Sequence, residues 1–290
     1  MRKLIECIPN FSEGTKPEVI YQIVKSIAQF SNVHILDINR DADHNRSVIT
    51  FVGEPNSVIE AAFQATKTAA KLINLKNHKG VHPRIGATDV IPLVPIKNIT
   101  SKECVALAKK LGKRIGEELK IPIYLYEKAA KTNERKNLAN IRSGKISGKP
   151  DFGPEKLGKA GATVVGVRNF LIAFNINLKS NDLGSAKQIA AKIRKFPSVK
   201  ALGLELKSKK AVQVSMNLTN YKKTTPLQAF KAVKKEAHAL GIEISESELI
   251  GIAPKDSMPR DPEKTLLLNT FHRNQIVDFS RLLINNTPRS

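Results

Sequence analysis

Apolar positions along this chain switch between a helical and a strand period, and the whole series occurs twice. LIECIPNF opens as a short apolar strand. PEVIYQIVKSIAQF follows, with Val19, Ile20, Ile23, Val24 and Ile27 on one face of a helix and Pro17 suited to its first position. VHILDI predicts a strand, RDADHNR a polar turn and SVITFVG the returning strand. EPNSVIEAAFQATKTAAKLI then predicts a helix that turns Val58, Ile59, Ala62, Phe63, Ala69 and Ala70 inward. DVIPLVPI closes the series as an extended segment, and Pro92 and Pro95 point to an edge or irregular position for it. The order is βαββαβ.

The second half repeats it. FLIAFNINL is a strand, and DLGSAKQIAAKIRKF is a helix with Asp182 as N-cap. VKALGLEL and AVQVSMNL are strands around the turn KSKK. A helix starts at Thr225 and Pro226, with Gln228 completing a capping box, and stops at Gly241; IEISESELIGI is the last strand. Each half predicts a four-stranded sheet with helices on one face, so the expected class is α/β (α+β): two ferredoxin-like βαββαβ subdomains, helices on the outer faces, with a ligand cleft between them. Between the repeats lie a helix from Thr100 and Glu103 to Leu119, a strand IPIYLY, and a basic, glycine-containing loop from Lys131 to Lys159. A terminal helix is expected over Leu266 to Ile284. The 290 residues suit two domains, placed at 1–179 and 180–290 with the boundary near KSNDLG.

Composition narrows the class. Two cysteines, Cys7 and Cys104, are too few for a disulfide scaffold or a Cys-rich zinc site. Glu6 and Pro9 interrupt the apolar run that a signal peptide would need, and no stretch reaches the ~18 apolar residues of a membrane span, so a reducing, cytoplasmic setting is expected. The net charge of +22 is the strongest signal; between Ala190 and Lys235 twelve Lys/Arg face one acid, Glu205. Such a field attracts polyanions or small carboxylate and phosphate ligands, and it is equally the surface of a lysine-rich, heat-adapted protein.

NHKGVHPRIGATDVIPLVPI holds His78 and His82 four apart. A two-histidine zinc site needs a helix there and a nearby acid; Gly80 and Pro83 oppose the helix and NHKGVHPR has no acid, so no metal is expected. An ordinary polar turn and a catalytic imidazole beside Lys79 and Arg84 both stay open. In VVGVRNFLIAFNINL, most apolar residues fit two buried strands joined by a turn. Arg168 and Asn169 punctuate that run, Gly166 would let backbone approach a flat ligand, and Asn175 and Asn177 share one face of the following strand. DADHNR lacks the glycine and distal Glu of a calcium loop; it is read as a hairpin connection, with Asn45 and Arg46 as ligand candidates. The ferredoxin-like fold is also that of the RRM, yet AVQVSMNL has no aromatic residue and only 5% of the chain is aromatic, so the base-stacking platform is missing. Non-specific phosphate binding by lysines stays open. No G-x-S-x-G elbow supports covalent catalysis.

LIECIPNFSEG, DADHNRSVITFVGEP, NHKGVHPRIGATDVIPLVPI, KPDFGP and GVRNFLIAFNINL, in that order, closely resemble the glutamate formiminotransferase family, and ESELIGIAP looks like its later motif. The resemblance implies two α/β subdomains around a folate tunnel, a homodimer, tetrahydrofolate as co-substrate and no metal. It implies transfer of a formimino group from N-formimino-L-glutamate to N5 of tetrahydrofolate in histidine breakdown and one-carbon metabolism. The histidine of H-P-R-I-G-A, here His82, carries the family's catalytic role. The folate-contacting stretch matches Gly166, Val167, Arg168, Asn169, Phe170, Leu171, Ile172, Ala173, Phe174 and Asn175, and Arg84, Arg46 and Asn45 are expected to help hold the substrates. Asn39 stands where related sequences often carry an acid, and likeness thins after Gly184. The alternatives are a formyl donor, N-formyl-L-glutamate, or a non-catalytic folate-, anion- or nucleic-acid-binding ferredoxin-like protein.

Overall fold

In the computed structural model of the chain, which describes residues 2–42, 44–78, 80, 83–144, 148–206 and 209–279, the first strand is split. β1 (Leu4–Cys7) and β2 (Asn10–Phe11) flank Ile8 and Pro9. α1 (Pro17–Ala28) starts on its proline and buries Val19, Ile20, Ile23 and Ile27, as their spacing predicts. β3 (Val33–Asp41) and β4 (Arg46–Gly53) pair antiparallel, α2 (Pro55–Leu72) crosses back, and β5 (Thr88–Lys97) completes the first repeat. The strands lie in the order β3, β4, β1 with β2, β5, with antiparallel neighbours throughout, which is the ferredoxin-like arrangement.

The intervening segment extends this sheet. α3 (Ser101–Glu118) opens on the Thr100–Glu103 capping box. β6 (Ile123–Glu127), α4 (Leu138–Arg142) and β7 (Thr163–Val167) follow, and β7 inserts between β5 and β6, parallel to both. β5 is therefore internal, not the edge or irregular strand that Pro92 and Pro95 suggested. A proline removes a donor but keeps its carbonyl: Ile8 N donates to Pro92 O at 3.2 Å and Arg168 N to Leu93 O at 3.1 Å. The β1–β5 register also shifts at Leu4 and Ile5, beside Pro95.

Side-chain alternation divides the two faces. Ile5, Cys7, Ile49, Phe51, Ile91, Leu93, Val165 and Val167 join Ile23, Ile27, Phe63, Leu111 and Ile115 of α1, α2 and α3 in one core. The other face presents Glu6, Asn10, Thr50, Val90, Val94 and Val164, and near β6 and β7 it packs against Ile141 of α4.

The second unit carries β8 (Ile172–Leu178), α5 (Leu183–Ile193), β9 (Val199–Leu206), β10 (Ala211–Leu218), α6 (Pro226–His238) and β11 (Ile244–Ile250). Its sheet runs β11, β8, β10, β9, all antiparallel, the same ferredoxin-like order. Asp182 caps α5, accepting from Gly184 N and Ser185 N, and Thr225 with Gln228 forms the capping box of α6. Ile172, Phe174, Ile176, Val212, Val214 and Val233 lie in its core. The compact units divide between Arg168 and Asn169, because both hydrogen-bonded neighbours of β8 belong to the second sheet; the boundary expected at 179/180 assigned that strand to the first.

The expected helix over Leu266 to Ile284 is not what the described residues form. After β12 (Ala253–Pro254), α7 (Pro262–Leu266) begins on Pro262 and ends where Leu267 turns left-handed, φ 54°. The chain then extends into β13 (Ile276–Val277), parallel to β12, while Gln275 Nε2 donates to Leu249 O and Gly251 O at 2.8 and 2.9 Å. Carbonyls at the end of β11 thus draw this segment away from helix. Residues 280–284 of that expected helix lie outside the described ones. In the basic stretch Lys192, Lys195, Lys200, Lys222, Lys223, Lys231, Lys234 and Lys235 are exposed. No described helix is long and apolar enough to cross a membrane.

Candidate functional site

At one end of the first sheet, segments distant in sequence are tied together by arginine side chains. The β3–β4 turn places Asn45 in the left-handed region, φ 44°, a conformation that asparagine tolerates. Its Oδ1 accepts from Gly14 N at 2.9 Å, linking the loop after β2 to the turn. Arg46, the first residue of β4, donates through Nη2 to Asn10 Oδ1. Arg84 reaches the same turn from the loop before β5: Nη1 donates to Asn45 O at 2.8 Å and Nη2 to His44 O at 2.6 Å. Arg84 Nη1 also lies 2.8 Å from His78 Nε2, which is itself 3.1 Å from Asn45 O. Gly80 fits between these groups because it has no Cβ, which would stand 2.6 Å from His44 O.

Asp89 anchors the far side. Its Oδ1 accepts from Ile85 N at 2.8 Å and its Oδ2 from Arg142 Nε at 3.0 Å, with only 3% of the residue exposed. Three guanidinium groups thus gather around one buried carboxylate. Desolvation, then the Arg142 charge, lowers Arg46 to about 10; desolvation also lowers Arg84, opposed by Asp89. Both remain cations at neutral pH. Desolvation, then the Arg84 charge, lowers His78 below its ordinary 6.5, so this ring is neutral at pH 7. The cluster can hold carboxylates through charge-assisted bonds beside uncharged imidazole. Among the described residues, no three His, Cys, Asp or Glu side chains gather as metal ligands.

Of the sequence-predicted residues, Asn45, Arg46 and Arg84 come together here. His82 lies outside the described residues. The stretch from Gly166 to Asn175 falls across two units. Val167 is in the first core, and Ile172 and Phe174 are in the second, so these side chains serve packing. Gly166 is in β7, where a Cβ would stand 2.3 Å from Tyr126 O and from its Cδ1, so the absence of a side chain lets the tyrosine lie against this strand. Arg168 follows β7 and is partly buried, Asn169 is exposed, and Phe170 and Leu171 are partly buried. Phe170 makes edge contacts with Tyr221 and Phe279, ring centroids 6.4 and 5.6 Å apart. Ala173 and Asn175 alternate with the core residues of β8 and so point to the other face of its sheet.

Sequence reasoning missed Asn10, Asp89 and Arg142, and it read Glu6 only as a break in an apolar run. The signal was there in LIECIPNF: polar residues at alternate positions of an apolar strand lie on one face. Asp89 and Arg142 left no comparable trace, because their pairing spans a whole helix, strand and loop.

Two family profiles match: the Formiminotransferase domain, N-terminal subdomain, over residues 4–168, and the Formiminotransferase domain over residues 173–263. A protein of Thermoplasma acidophilum named glutamate formimidoyltransferase is 44% identical over 291 residues, covering 95% of this chain and 96% of that one. A Streptococcus pyogenes protein of the same name is 42% identical over 294 residues, covering 96% and 98%. The mouse formimidoyltransferase-cyclodeaminase is 39% identical over 304 residues, covering 96% of this chain and 56% of that longer one.

Proposed function

The chain belongs to the formiminotransferase family, and from that premise we propose that it transfers the formimino group of N-formimino-L-glutamate to N5 of tetrahydrofolate, releasing L-glutamate. The observation that carries this is identity above 40% to two proteins named glutamate formimidoyltransferase along nearly their full length. Tetrahydrofolate is a co-substrate in this reaction and supplies the accepting amine. A bond forms between that nitrogen and the amidine carbon, and the bond from the carbon to the glutamate nitrogen breaks. One proton leaves the attacking amine and one joins the departing nitrogen.

A single imidazole near neutral pKa can carry both protons in turn, for a gain of about 10²–10⁴-fold. We assign that role to His82. It stands between Gly80 and Arg84 in sequence, and both of these are held against the β3–β4 turn. Arg84 and Arg46 supply fixed positive charge for the carboxylates of glutamate and of the folate tail, and Asn45 orients Arg84 through its carbonyl. Holding two substrates side by side contributes as much as proton transfer does. Arg168 and Asn175 are assigned to folate on the family resemblance, as are the backbone groups of the stretch between them. Operation in histidine breakdown, in the cytoplasm and as a homodimer belongs to the same reading.

The test is direct. Purified protein is incubated with tetrahydrofolate and either the formimino or the formyl donor, and released glutamate is measured. Turnover with the formimino donor supports the function; turnover with neither donor contradicts it.

A further inference from the structure

Glu6 is a buried carboxyl that the transfer mechanism leaves unused. Its neighbours Ile5 and Cys7 enter the helix-covered core, so Glu6 points to the opposite face, level with Val52 of β4 and Val94 of β5. Only 1% of the residue is exposed, and its Oε2 has no hydrogen-bond partner among the described residues. On the same face, Thr50 of β4 is also 1% exposed with its Oγ1 unpartnered. Beyond Val94, the Arg168 charge acts on Glu6 and the Arg168 side chain hydrogen-bonds Tyr126 of β6. His34 and Asp37 of β3 are level with Val52 and Thr50 on this face, with Asp41 and Arg46 paired further along the same two strands. Burial raises Glu6 to about 7, with Arg168 opposing.

A carboxyl with an idle oxygen in such a place lowers stability, and groups of this kind concentrate where a ligand completes them. The chemistry that completes a carboxylate best is a flat unit with two parallel N–H donors. Both substrates of the proposed reaction carry one: the amidinium of the formimino donor, and the aminopyrimidinone edge of the reduced pterin.

We propose that Glu6 is a substrate-contacting, specificity-determining residue whose carboxylate receives a planar N–C–N group bearing two N–H donors. This rests on the transfer function proposed above. A formyl donor offers a carbonyl oxygen instead, which a carboxylate repels, so a Glu6 that holds the donor also selects formimino over formyl.

The experiment compares wild-type protein and Glu6→Gln, measuring KM and kcat separately for the formimino donor, the formyl donor and tetrahydrofolate, together with thermal unfolding without ligand. Glu6→Gln is expected to raise KM for one N–C–N substrate by about 10–100-fold. The unfolding temperature is expected to stay level or rise. A raised KM confined to the formimino donor places the amidinium at Glu6; a raised KM for tetrahydrofolate with any donor places the pterin there. Unchanged KM for both substrates overturns the proposal, as does a Glu6→Gln protein that unfolds earlier or fails to fold, since the carboxyl would then be serving the fold. Wild-type protein without turnover sinks the transfer function itself, a result distinct from an active wild type with an indifferent Glu6→Gln.

Discussion

Arg84 Nη1 stands 2.8 Å from His78 Nε2 and donates to Asn45 O at the same distance. Nε2 also lies 3.1 Å from Asn45 O, so it accepts from Arg84 in one tautomer and donates to Asn45 O in the other, and either way the ring is tied to the β3–β4 turn. His78 is then occupied as a support for Arg84 and is poorly placed to shuttle protons. His78→Ala should lower kcat by less than ~10-fold, whereas Arg84→Gln should raise KM for the carboxylate-bearing substrates by about 10–100-fold. Steady-state kinetics on the two variants decide; a kcat loss of ~10²-fold or more for His78→Ala would give it the proton-transfer role.

Glu6 makes stability depend on pH in a definite direction. Its carboxyl is raised from 4.5 to about 7 in the folded chain, so the native state holds a proton that the unfolded state releases between those values. Stability therefore falls as pH rises through that window, by an amount on the order of 3 kcal/mol. Glu6→Gln abolishes this dependence. Paired thermal melts should show the variant gaining on the wild type from pH 4.5 to pH 8, and a constant difference across that range would contradict the burial argument.

The capping box of α6 is an independent check on the second unit. Thr225 Oγ1 accepts from Gln228 N at 3.2 Å, and Thr225 N donates to Gln228 Oε1 at 2.9 Å. Thr225→Ala should cost about 1 kcal/mol and lower Tm by about 2–4 °C. Kinetic constants at 25 °C should not change.

Gly166 tests whether its stretch is built for packing at that point. Gly166→Ala would drive a Cβ onto Tyr126 O, a backbone atom with no room to yield. A loss of about 1–3 kcal/mol in chemical denaturation is expected. Full stability with weakened tetrahydrofolate binding would instead return this glycine to ligand contact.

What the sequence made legible was mostly local. Asp182 and the boxes at Thr100–Glu103 and Thr225–Gln228 could be read directly, since each cap lies within a few residues of its helix. The two βαββαβ series were legible for the same reason: each element writes its own period. β5 was misjudged because the strand that covers it, β7, comes more than sixty residues later, past α3 and β6. The terminal segment was misjudged because its apolar spacing fits a helix, while Gln275 is claimed by carbonyls at the end of β11. Asn45, Arg46 and Arg84 stood out by chemistry, but their meeting depends on a turn, a split strand and a loop that no short window contains.

The proposed transfer turns on one imidazole. Wild-type and His82→Ala proteins should be compared in kcat for formimino transfer and in Kd for tetrahydrofolate by direct titration. The expected result is a fall in kcat of at least ~10²-fold with Kd within about twofold of wild type. Turnover unchanged in His82→Ala would contradict the proton-shuttle role.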